Sequence, residues 1–137
     1  MRIDFNNNIK PSKCFFLLEH VIFDRGSLYS VSYGKVRCRQ DIKLFLQKIK
    51  HNKRYKEATH NTWATRVTKA GAVYESKNDD GEKGAGMVIL TVMRKHDVTD
   101  CVICVTRWFG GVKLMGNRYK HVKNATLYAV EDIINKS

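Results

Sequence analysis

The sequence predicts a single α+β domain, a two-layer α/β sandwich with helices laid on a sheet. Three observations carry this. Apolar runs of strand length recur along the chain, segments of helical periodicity alternate with them, and no repeat or Ser/Pro/Gly-rich linker divides the 137 residues. That length suits one domain and is enough to bury a core without staples. Residues 1–13, with Asn6-Asn7-Asn8 and the only proline, Pro11, read as a flexible N-terminal arm, and residues 14–137 as the domain.

The elements follow in order. Residues 14–23 form an apolar β-like stretch (Phe15, Phe16, Leu17, Leu18, Val21, Ile22, Phe23), and Asp24-Arg25-Gly26-Ser27 is a turn. Residues 28–36 alternate in part and read as a strand. Over residues 40–50, Ile42, Phe45, Leu46 and Ile49 make one helical stripe. A strand is expected around Trp63, over residues 60–67. Residues 71–86, rich in Gly, Asn and Asp, read as a loop, and residues 87–93 fit a buried helix or a buried strand equally. Residues 101–106 are the clearest strand, and 110–116 are a glycine-bearing loop. Asn117 is placed to cap a last helix whose inner face is Tyr119, Val122, Thr126, Ala129 and Ile133.

Composition excludes several classes. The net charge is +12 and the aromatic content 10%, a basic chain with too many core-forming residues for wholesale disorder. No apolar run reaches the roughly 20 residues of a membrane helix. Met1 to Lys13 lacks the apolar stretch of a signal peptide, so a cytoplasmic, non-membrane protein is expected. The four cysteines form no disulfide pattern. Cys101 and Cys104 are spaced as a Cys-x-x-Cys, but they lie in a strand-like run, where residues three apart point to opposite faces. Such a pair cannot close on one metal or on each other, and no second ligand pair follows, so no metal and no cofactor are expected.

Charge is concentrated. Residues 35–56 hold nine Lys and Arg against one acid, Asp41, and so carry +8 of the +12. The helix there has an apolar face, so Lys43, Lys48, Lys50, Lys53 and Arg54 should crowd the opposite side as a seat for RNA or an acidic surface. Seven of the nine meeting phosphates would give a log–log salt slope of about −6. No recognisable helix-turn-helix, zinc finger or RNA-recognition aromatic signature supports sequence-specific reading.

Three segments are dense in chemistry: Ala58-Thr59-His60-Asn61-Thr62-Trp63-Ala64, Asn78-Asp79-Asp80-Gly81-Glu82-Lys83-Gly84-Ala85-Gly86, and the stretch from Val105-Thr106-Arg107-Trp108-Phe109-Gly110-Gly111-Val112-Lys113-Leu114 to Tyr119-Lys120-His121. Together they resemble the Impact and YigZ family, with the Arg118-Tyr119-Lys120-His121 ending closer to its eukaryotic branch. The likeness runs from Asp24 to the last helix. In one place the chain departs: the family usually has a glycine after Gly-Gly-x-x-Leu, and here Met115 holds that position with Gly116 next.

The resemblance implies a fold like the second domain of ribosomal protein S5 and a role in translation regulation without established catalysis. It implies restraint, in the general amino acid control stress response, of the starvation-activated kinase of initiation factor 2, by competition for the kinase's ribosome-bound coactivator. It also implies actin binding. In the eukaryotic relatives a preceding RWD domain makes the coactivator contact, and only 23 residues precede Asp24 here, fewer than that domain needs.

On their own chemistry, Arg107, Lys113, Arg118 and Lys120 flank Gly110-Gly111 and a helix start, the ingredients of an anion site. Trp108 and Phe109 offer faces for base stacking. Against this stands ordinary packing, with Trp108 or Phe109 in the core and the glycines only turning the chain. His60, Asn61, Asp79, Asp80 and Glu82 read either as support for these motifs, by Asx turns, caps and pairing with Arg107 or Arg118, or as an acid–base or metal group. The function expected is therefore non-enzymatic binding of RNA or a ribosome-associated protein. The alternatives are a small metal- or nucleotide-dependent hydrolase and an actin-binding module. No phosphate-binding Gly-x-x-x-x-Gly-Lys loop or Gly-x-Ser-x-Gly elbow supports the hydrolase.

Overall fold

A computed structural model describes residues 9–136. The elements run β1 (Phe16–Asp24), β2 (Ser27–Lys35), α1 (Arg39–His51), α2 (Lys53–Lys56), β3 (His60–Lys69), β4 (Ala72–Asn78), α3 (Ala85–Lys95), β5 (Cys101–Trp108) and α4 (Asn117–Lys136). The strands form one five-stranded sheet in the order β1-β2-β5-β3-β4, antiparallel at every pairing. The chain thus has the mixed α+β class the sequence predicts, a single sheet with helices laid on it.

Strand alternation divides the core into two. Tyr29, Val31 and Tyr33 of β2 and Cys101, Ile103 and Val105 of β5 face α3 and α4, against Ile89, Met93, Ala125 and Ile133. The intervening Val102 and Cys104 face the other way, onto Phe45 and Ile49 of α1 and Tyr55 of α2. Helices therefore touch both faces: α3 and α4 close one, while α1 and α2 lie against the other. Cys101 and Cys104 belong to different cores, as their spacing on a strand requires, and burial pushes the Cys104 thiol up to about 12.

Two segments differ from the sequence expectation or decide it. Residues 72–78, expected inside a loop, are the edge strand β4. All seven are exposed, so they show no buried alternation to read. The strand is set by its turn: Ala70 (φ 51°) and Gly71 (φ 80°) both take positive φ, the two-residue hairpin geometry, and Lys69 pairs with Ala72. The ambiguous 87–93 run is helical, within α3. Of the arm expected over 1–13, residues 1–8 lie outside the described residues. Ile9 bridges to Val98, Pro11 is buried, and the Lys13 carbonyl accepts from the Lys35 N–H at 2.9 Å.

Candidate functional site

The three chemical motifs meet where the start of β3, the β4–α3 loop and the end of β5 converge, and their polar groups are largely engaged with one another. The Asp79 carboxylate accepts from the N–H groups of Gly84 (2.9 Å) and Gly86 (2.8 Å) and so occupies the N-terminus of α3. The Gly84 N–H holds its carboxyl below the usual range. Asp80 accepts from the Asn61 N–H at 2.7 Å, and its own carbonyl accepts from His60 Nδ1 at 2.8 Å. Asn61 then links inward, donating to the Tyr55 carbonyl at 3.0 Å and accepting from the Thr106 hydroxyl at 2.7 Å.

Glu82 and Arg107 are both buried and form an ion pair at 2.7 Å, with His60 Nε2 3.9 Å from the other Glu82 oxygen. The pairing of the two motifs by acid and arginine is thus realised through Glu82. Arg107, expected on a binding surface, is instead an internal clasp. A strand residue facing the α3–α4 core needs a countercharge once water is excluded, and Glu82 supplies it. Arg107 Nε has no hydrogen-bond partner among the described residues.

The neighbouring corner is similarly closed. Trp108 is half-buried, edge-on to Tyr55 with centroids 4.9 Å apart, and its Nε1 donates to the Arg54 carbonyl at 3.1 Å. Gly110 packs directly on Gly26, and a Cβ on Gly110 would lie 2.0 Å from the Gly26 carbonyl carbon. The first N–H groups of α4 are not free: those of Asn117, Arg118 and Tyr119 donate to the carbonyls of Leu114, Met115 and Gly116. Arg118 is half-buried, donating to the Tyr119 hydroxyl at 2.9 Å. The expected helix-terminus anion site is therefore filled by the chain's own loop. Phe109, Gly111, Lys113 and Lys120 stay exposed around it. Met115 adopts φ 54°, the left-handed conformation a glycine would take without strain.

The basic flank is the opposite case. Lys43, Lys48, Lys50, Lys53 and Arg54 are all exposed on α1 and α2. Among the described residues, the carboxylate within 4.0 Å of any of them is Glu57, at 4.0 Å from Lys53, and both of those side chains are largely solvated. Lys48 lies 5.1 Å from the Phe15 ring and Arg54 5.1 Å from the Trp108 ring, arrangements that orient the cations without cancelling their charge.

Beside this flank is a feature the sequence did not single out. α1 leaves the β3–β4 half of its face open as a groove of about 1050 Å³. Ile42, Leu46, Trp63, Val67 and Tyr74 supply its apolar surface, and Arg37, Arg39, Lys43 and Lys69 its charge. Trp63 and the two arginines lay in segments already marked as notable, whereas Tyr74 was hidden in the supposed loop. The described residues bring no three His, Cys, Asp or Glu side chains together as a metal-ligand set, and none of their helices is long and apolar enough to cross a membrane.

The site thus pairs an internally engaged motif corner with a flank of exposed, largely unneutralised cations on an antiparallel α+β domain. The family model for the Impact N-terminal domain matches residues 25–130, and the chain belongs to that family. It is 36% identical over 115 residues to Protein IMPACT homolog of Dictyostelium discoideum, covering 83% of this chain and 32% of that protein. It is 34% identical over 105 residues to human Protein IMPACT, covering 75% of this chain and 33% of that one. The chain thus spans about a third of the length of these relatives. Among solved structures, the two-domain translational regulator Yih1 matches with a TM-score of 0.61 and 26% identity, over 97% of this chain and 52% of that one. A hypothetical protein of known structure shares the fold, with a TM-score of 0.73 at 19% identity over 85% of this chain and 60% of that one.

Proposed function

We propose that this domain is a non-catalytic, cytoplasmic binding module of translation control, which seats its α1–α2 flank on a polyanionic surface of the ribosome or a ribosome-associated protein. The observation that carries the reading is the exposed, unneutralised cluster Lys43, Lys48, Lys50, Lys53 and Arg54. Cations left unpaired in water cost the fold little and attract polyanions over about a Debye length. By the family resemblance, such seating would belong to restraint of the initiation factor 2 kinase in the amino acid starvation response. Binding is favoured over hydrolysis because Asp79, Asp80 and Glu82 are all engaged in holding loops together.

The test is co-sedimentation with ribosomes across a salt series. The domain is expected to pellet at low salt and to be released steeply as salt rises. The combined substitution Lys48→Glu, Lys50→Glu and Lys53→Glu should abolish pelleting without lowering the melting temperature. Salt-insensitive pelleting, or unchanged pelleting of the triple variant, overturns the proposal.

A further inference from the structure

We infer that the groove between α1 and the β3–β4 hairpin takes a segment of single-stranded RNA, its bases stacking on Trp63 and Tyr74 and its phosphates meeting Arg37, Arg39, Lys43 and Lys69. The inference deepens the proposed function by naming the partner's chemistry, and it rests on that reading of a polyanionic partner.

The groove exists because α1 covers only part of its face. Phe45 and Ile49 draw the helix onto Val102 and Cys104 of β5 and toward Phe15, at the β1 side of the sheet. On that face the β3–β4 hairpin, at the other edge, is left without a helix over it. What lies bare there is aromatic. Tyr74 is 59% exposed and Trp63 is half-buried, both on the face that α1 touches. Tyr74 pairs in register with Val67, four residues along β3 from Trp63, so the rings are offset by about 13 Å along the strand and serve different bases. Between them, Thr65 and Ser76 share a hydroxyl–hydroxyl hydrogen bond at 2.6 Å.

The charge around the groove is one-sided. Arg37, Arg39, Lys43 and Lys69 are all exposed, on α1, the turn before it and the end of β3. The acid in the lining, Glu75, is engaged by Arg66 at 3.1 Å and Arg94 at 2.7 Å, and Arg94 holds its carboxyl below the usual range. It therefore presents little free charge to repel a phosphate. Cations beside exposed aromatic rings are the arrangement that binds single strands, because every unstacked base has a face to lay on a ring. A duplex keeps its bases stacked and would meet the cations only. An acidic peptide would likewise use the charge and leave the rings idle.

The experiment is fluorescence anisotropy with a labelled 12-nucleotide single-stranded RNA, an RNA duplex and a polyglutamate peptide, on the full chain. The single strand should bind more tightly than either competitor, with a log–log salt slope of about −3 if four phosphates are neutralised. Tyr74→Ala, at an exposed edge position, should weaken that binding by about 5- to 150-fold with an unchanged melting temperature. Trp63→Phe, which keeps the ring and the packing, should weaken it less. Equal or tighter duplex binding, preferential polyglutamate binding, or no effect of Tyr74→Ala overturns the inference. If Tyr74→Ala leaves RNA binding intact while the Lys48/Lys50/Lys53 variant loses the ribosome, the groove assignment falls and the flank assignment stands.

Discussion

The motif corner and the α1–α2 flank are both rich in charged residues, yet they use charge in opposite ways. At the corner, Arg107 and Glu82 are buried and face each other at 2.7 Å, Asp79 holds the Gly84 and Gly86 N–H groups at the start of α3, and Gly110 is pressed on Gly26. On the flank, five cations stand in water with one distant carboxylate among them. Residues dense in chemistry can therefore be dense because they join three segments of chain. Residues with no partner are the ones left to meet something else. Under the proposed reading the corner serves stability and the flank serves binding, and variants in each should separate the two properties.

The largest effect is expected at the corner. Glu82→Ala leaves the Arg107 guanidinium buried without its countercharge, a change that typically costs about 3–5 kcal/mol. For a domain of this size the melting temperature should fall by roughly 10 °C or more in thermal denaturation. The flank variants should change it by no more than about 0.5 kcal/mol in equivalent stability. Replacing both partners, as Glu82→Leu with Arg107→Met, should recover much of the loss, because an apolar pair of similar volume needs no desolvated charges. If Glu82→Ala melts like the unmodified chain but loses ribosome association, the corner is a binding site after all and the division collapses.

A smaller effect separates the capping role of Asp79 from a catalytic or metal-binding one. Asp79→Ala removes the acceptor for the Gly84 and Gly86 N–H groups and should cost about 0.5–2 kcal/mol. Because those N–H groups hold the folded-state carboxyl below its ordinary value of 3.8, its contribution is complete above that value and is lost as pH falls through the lower, folded one. The stability gap between the two proteins should therefore be constant near neutrality and narrow only in acid below about pH 4. A gap that changed around pH 6–7 would implicate a histidine instead.

Much of this was legible in the sequence. Apolar runs located β1 and β5, partial alternation β2, the segment around Trp63 β3, and helical periodicity α1 and α4, because each contributes apolar side chains to a core. β4 was missed because an edge strand with every residue exposed has no pattern to show; its one signal was Ala70-Gly71, a two-residue turn. The 87–93 run stayed open because it is apolar on most sides; its helix starts upstream at Ala85, beside the Asp79 carboxylate that accepts from the Gly84 and Gly86 N–H groups. At the site, the exposed flank followed from counting charges. The fate of Arg107 did not, since its partner lies 25 residues away and only the fold shows that both are buried. The groove was invisible for a related reason: it is an uncovered area, and what α1 fails to cover depends on where Phe45 and Ile49 anchor it.

The smallest effect lies in the loop between the corner and α4. Met115 is 72% exposed and contributes little packing, but its φ of 54° places a side chain where the left-handed conformation crowds Cβ against the backbone. The strain is held by the turn that feeds α4, in which the Met115 carbonyl accepts from the Arg118 N–H at 3.3 Å. Met115→Gly should relieve about 1–2 kcal/mol of strain. Part of that gain, about 0.5–1 kcal/mol, is offset by the greater freedom of glycine in the unfolded chain. A net stabilisation of about 0.5–1 kcal/mol is expected, read as a small rise in the midpoint of urea unfolding with an unchanged slope. Because the residue belongs to neither the cationic flank nor the groove, RNA and ribosome binding should not move with it. A fall in stability would mean that Met115 packs in solution against a neighbour, and that this loop belongs with the surfaces that bind.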